Sequence, residues 1–162
     1  MKDALHKFPD DKQVHGALAL YNIRHGGESR AIENHLKKSF SQNDSNFEAR
    51  FNTAQYYFLT GKTDEAKVLF DYLDSKAPAT FRVHISTADT PFSAALPDYQ
   101  GVVATKSHSY LFVKTPAYAD NIFCHMRAMG ISEFSSVAVG DRVTFRLRFD
   151  RKGPQVARLW SS

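Results

Sequence analysis

"SYLFVKTPAYADNIFCHMRAM" (Ser109–Met129) is apolar on two sides at once. Read as two strands, alternation sends successive side chains to opposite faces. Leu111 and Val113 then share a face with Ile122, Cys124 and Met126. Tyr110 and Phe112 share the other face with Phe123 and His125. A small domain buries one such face. Three aromatics and a histidine on the second face need a different explanation.

Downstream, "GDRVTFRLRF" (Gly140–Phe149) alternates without a break. Val143, Phe145, Leu147 and Phe149 are expected inside, and Arg142, Thr144, Arg146 and Arg148 outside. "DRKG" (Asp150–Gly153) reads as a hairpin turn, and "PQVARLW" (Pro154–Trp160) as the returning strand. With "GVVATK", "YLFVKT" and "NIFCHMR" this makes five short strands. So short a strand-rich segment finds a core by closing on itself, as a small five-stranded antiparallel barrel.

The first half has a different period. "ALALYNIRHGGESRAIENHLKKSF" (Ala17–Phe40) and "FNTAQYYFLTGKTDEAKVLFDYLD" (Phe51–Asp74) align at an offset of 34 residues, with Gly27 over Gly61. Each reads as helix, glycine turn, helix. Gly27 and Gly61 are expected to supply the positive φ that ends the first helix. Thr63 or Asp64 is expected to cap the second. Ala54 with Tyr57, and Ala66 with Leu69, Phe70 and Leu73, fall at helical spacing and face a neighbouring helix. Pro9 stands 69 residues before Pro78, about two repeat lengths, so an earlier repeat and a longer parent chain are expected. Pro78, Pro91 and Pro97 mark the stretch between the halves, within which "TFRVHIS" (Thr80–Ser86) alternates as a short extended segment and "ADTP" (Ala88–Pro91) reads as a turn. The expected organisation is α+β with two domains: helical hairpins over 1–78, a proline-containing linker over 79–98 and the barrel over 99–162.

Charge is placed unevenly. The 162-residue chain carries +4 overall. From Tyr99 onward nine Lys/Arg oppose four Asp/Glu, leaving +5 there and −1 on the remainder. Such asymmetry suits a polyanion partner for the barrel. Cys124 is the only cysteine, so no intrachain disulfide forms, which fits a reducing compartment. The apolar runs fall short of the roughly 20 residues a membrane helix needs, and "MKDALHKFPDDKQ" lacks an apolar signal core. A cytoplasmic location without a membrane partner is expected. No nucleotide-binding glycine loop is spaced correctly, and Cys124 and His125 point apart on one strand. No enzyme activity, metal or cofactor is expected.

The helical half resembles the tetratricopeptide repeat: small Ala54, aromatic Tyr57, turn Gly61, small Ala66, bulky Phe70 and terminal Pro78 follow its pattern. That resemblance implies a surface for a protein or peptide partner. The barrel half, from about Gln100 to Trp160, resembles the cold-shock domain, an oligonucleotide-binding (OB) barrel. "VGDRVTFRLRFDRKGPQVARLW" looks like its closing hairpin, "NIFCHM" is similar to its Val-Phe-Val-His-Phe motif, and "YLFV" sits where the family has Gly-Phe-Gly-Phe-Ile. The family's first-strand tryptophan is matched by Thr105. The resemblance implies that Tyr110, Phe112, Phe123 and His125 stack the bases of single-stranded RNA or DNA. These are the residues that alternation leaves on the second face. Lys106, His108, Lys114 and Arg127 lie near the same strands and are expected to meet phosphates, whereas Arg146 and Arg148 lie on a strand that can face away. Two other readings remain open: a protein-interaction module whose barrel has lost nucleic-acid binding, and a regulatory tail of a larger enzyme acting on nucleic acid.

Overall fold

A computed structural model describes residues 2–81, 92 and 96–162. It opens with helices α1 (Lys2–Lys7), α2 (Lys12–Arg24), α3 (Ser29–Lys38), α4 (Phe47–Leu59) and α5 (Thr63–Lys76). Asp11 starts α2 by accepting from the amides of Gln13 and Val14. Alanines let the paired helices approach, since Ala19, Ala54 and Ala66 are fully buried along with Leu36, Phe70 and Leu73. Two local expectations need correction. The left-handed residue after α2 is Gly26 (φ 68°), not Gly27. Gly27 is instead pressed onto Asn22, where a Cβ would sit 2.8 Å from the Asn22 Cβ. Thr63 and Asp64 do not cap α5, because the helix begins one residue earlier and Lys62 holds the cap position with no side-chain bond. Asp64 and Glu65 lie in the first turn, where the helix dipole favours them.

The chain then forms β1 (Tyr99–Lys106), β2 (Tyr110–Lys114), β3 (Ile122–His125), a 3-10 turn at Met126–Ala128, helix α6 (Ile131–Ser136), β4 (Arg142–Asp150) and β5 (Gly153–Ser161). The strands close in the order β1-β2-β3-β5-β4, consistent with an OB-type barrel. All neighbours are antiparallel except β3 and β5, which close the barrel in parallel through Phe123 opposite Gln155. Alternation decides the interior: Val103, Leu111, Val113, Ile122, Cys124, Val143, Phe145, Leu147 and Phe149 are buried. The expected order of helical hairpins followed by a five-stranded barrel is the order found. The extended stretch expected at Thr80–Ser86 lies, beyond Phe81, outside the described residues, as does the turn at Ala88–Pro91.

The helices and the barrel share one continuous hydrophobic core. Phe58 of α4 packs on Tyr118 (ring centroids 5.5 Å) and edge-on to Phe149 (5.2 Å). Phe70 of α5 lies parallel to Phe149 at 6.0 Å. Lys67 of α5 bridges to Asp120 at 2.7 Å. These contacts use the end of the barrel formed by the start of β1, the β2–β3 loop and the β4–β5 turn. Among the described residues no helix is long and apolar enough to cross a membrane.

Candidate nucleic-acid interface

The unexplained face of Ser109–Met129 is a real surface. Tyr110 lies opposite His125, and Phe112 opposite Phe123. The three aromatic rings touch one another, with centroids 5.9 Å apart for Tyr110–Phe112, 5.7 Å for Tyr110–Phe123 and 5.7 Å for Phe112–Phe123. Tyr110 is 38% exposed; Phe112, Phe123 and His125 are half-buried. The barrel aromatics stacked on the helices are Tyr99, Tyr118 and Phe149. The Tyr110–His125 pair lies toward the other end of the barrel, where β2 begins and β3 ends. His125 Nδ1 accepts from the Arg127 amide at 3.2 Å, which leaves Nε2–H as the outward donor of the neutral ring.

The four expected phosphate contacts separate. Lys114 is exposed and follows Phe112 on the same side of β2. His108 is exposed in the β1–β2 turn, and Arg127 is exposed in the 3-10 turn after β3. Lys106 goes elsewhere. It lies opposite Leu111, so alternation turns it away from the rings. Its Nζ donates to the carbonyls of Phe134 and Val137 at 2.5 Å and sits over the Phe134 ring. It therefore closes the C-terminal end of α6, where a cation is favoured. Thr105, opposite Phe112, stands exposed at the edge of the aromatic face.

Two residues that sequence reasoning set aside or missed join this surface. Beyond Phe123 the sheet continues to Gln155 and then Arg148. Phe123, His125, Arg127, Arg148, Val156 and Ala157 line a cleft of about 380 Å³. Arg146, by contrast, is paired with Asp98 at 2.7 Å and lies near Trp160. The signal for Arg148 was its parity on β4. What could not be read was that β5, and through it β4, follows β3.

Cys124 faces the core, and burial pushes its thiol up to about 12, so it offers no nucleophile. Among the described residues no group of three or more His, Cys, Asp or Glu could hold a metal. Chemically the surface offers flat apolar rings, one imidazole donor and a rim of cations, which suits stacking and charge neutralisation. No protein-family model matches the chain, and no curated protein matches it either.

Proposed function

We propose that the barrel binds single-stranded RNA or DNA, without chemical change, by stacking bases on Tyr110, Phe112 and Phe123 beside His125. The observation that carries this reading is the three-ring cluster, open on the barrel flank while other aromatics serve the helix contact. His108, Lys114 and Arg127 neutralise phosphates, and the barrel's +5 charge steers the strand. The resemblance to cold-shock domains supports the same use of this face. The helices, which resemble tetratricopeptide repeats, hold a protein partner in this reading, making the chain an adaptor.

Fluorescence anisotropy with a labelled single strand of about a dozen nucleotides tests it. At about 1–3 kcal/mol per stacked base, a Tyr110→Ala/Phe112→Ala/Phe123→Ala/His125→Ala variant that remains folded should lose affinity by roughly a hundredfold or more. Binding should weaken with added salt and be much weaker for duplex. Equal binding by parent and folded variant would reject the platform.

A further inference from the structure

The row of outward residues does not stop at the aromatic rings. Phe112 lies opposite Phe123, Phe123 opposite Gln155, and Gln155 opposite Arg148. The last two members end in a carboxamide and a guanidinium, both planar and both half-buried. Each is oriented by its neighbour. Gln155 Nε2 donates to Asp150 Oδ2 at 2.5 Å, which turns the amide oxygen toward Arg148. Arg148 Nη2 donates to that oxygen at 3.5 Å, the outer limit of a hydrogen bond. Beside it, Arg148 Nε–H is shielded from water and has no acceptor among the described residues. A buried donor without a partner is costly and uncommon. Arg148 lines the cleft walled by Phe123 and His125, and among the described residues its Nε–Nη2 edge has only the 3.5 Å contact to Gln155.

We infer that this cleft reads guanine at one position of a bound single strand, an inference that rests on the proposed nucleic-acid function of the aromatic face. A base stacked on Phe123 directs its edge across β5 toward Arg148. Guanine carries two adjacent acceptors, O6 and N7, which match the guanidinium fork. Adenine places a donor beside N7, and cytosine presents a donor at the equivalent edge. A phosphate also has two oxygens to offer. Location separates the two ligands: Arg148 ends a row of half-buried planar groups, at the level where bases stack, whereas His108, Lys114 and Arg127 are exposed at the rim.

Anisotropy of the whole chain with labelled RNA nonamers tests the inference. One strand is all uridine; the others carry guanosine, adenosine or 7-deazaguanosine at the centre. Guanosine should bind roughly 5- to 150-fold more tightly than adenosine, and loss of the N7 acceptor should remove most of that gain. Arg148→Lys keeps the charge without the fork, so it should bring the guanosine-to-adenosine affinity ratio to within about twofold of one. If Arg148→Ala instead weakens every strand alike and flattens the salt dependence, Arg148 is a phosphate contact and the inference is wrong. Equal affinity of the parent for guanosine and adenosine strands overturns it while leaving the platform in place. Failure of the parent to bind any of these strands removes the platform, and the guanine site with it.

Discussion

Phe149→Ala is expected to destabilise the helices and the barrel together. The ring is 6% exposed. It meets Phe58 edge-on at 5.2 Å and lies 8° from parallel with Phe70 at 6.0 Å. A buried phenylalanine removes roughly 150–250 Å² from water. At about 25 cal/mol per Å² that is about 4–6 kcal/mol, an upper bound because the unfolded chain already hides part of the area. Cavity-forming Phe→Ala changes cost about 3–5 kcal/mol, and that range is the expected loss. Against a total of about 5–15 kcal/mol for a folded domain, it is a large fraction. The midpoint of thermal unfolding should fall by about 6–20 °C, at about 2–4 °C per kcal/mol.

Two probes separate the parts. Far-ultraviolet circular dichroism follows the helices, and fluorescence of Trp160, the only tryptophan, follows β5. Both midpoints should drop by the same amount, and Phe149→Leu, which keeps part of the buried volume, should cost less than Phe149→Ala. A helical signal that keeps its midpoint while Trp160 shifts would show that the ring contacts do not couple the two parts. A loss below about 1 kcal/mol by both probes would refute the packing argument itself.

Gly153→Ala should cost about 1–3 kcal/mol in urea unfolding. Gly153 has φ 117°, and its Cβ would meet Phe70 only at ordinary contact distance, so backbone strain is the main cost. Arg50→Met should cost about 3–5 kcal/mol. The buried guanidinium donates to the Asp44 carboxylate and to the carbonyls of Ser41, Gln42 and Asp44, and methionine would leave these acceptors unpaired. Stability should also fall on acidification through the His15–His35 contact between α2 and α3. His15 Nε2–H donates to the Pro9 carbonyl, so its Nδ1 accepts from His35 Nδ1–H at 2.8 Å. Burial, then His15 and Lys38, hold His35 below the ordinary histidine value of 6.5. The folded form therefore binds this proton less readily than the unfolded one, so the urea midpoint should decline as pH falls through about 6.5. His35→Gln should flatten that decline; an identical profile in parent and variant would refute the assignment.

Much of the fold was legible because alternation is a local signal. Val143, Phe145, Leu147 and Phe149 announce a strand half-buried on one side, and Leu111, Val113, Ile122 and Cys124 can be parted from Tyr110, Phe112, Phe123 and His125 by parity alone. What escaped was either too short or too distant in sequence. Helix α6 has six residues, too few for a 3.6-residue period to declare itself. The repeat alignment set Gly27 over Gly61, but the turn after α2 takes its left-handed residue one position earlier. The position of Lys106 was not legible because it depends on the register with Leu111 and on the carbonyls of Phe134 and Val137, far along the chain. The parallel approach of β3 and β5 joins residues far apart in the chain, so nothing local places Gln155 and Arg148 beside Phe123.

Docking of the helices also constrains where a protein partner can bind. Eight residues of α4, including Thr53 through Phe58, are buried, and its less covered face carries Glu48, exposed, with Asn52 and Leu59, half-buried. Its buried aromatic residues serve the core and the barrel and are not open to a peptide. Lys62, one cation available for holding a carboxylate, already donates to Glu33 at 2.7 Å. The surface left to a partner lies on α2, α3 and the outer side of α5, where Tyr21 and Val68 are exposed. A partner there would not cover the aromatic flank of the barrel directly. An effect on single-strand binding would pass through the contacts between the helices and the barrel, among them Phe58 and Phe70 on Phe149 and Lys67 on Asp120. Phe149→Leu should weaken such an effect before it weakens either binding event alone, and double-mutant cycles pairing it with Tyr21→Ala would measure that coupling.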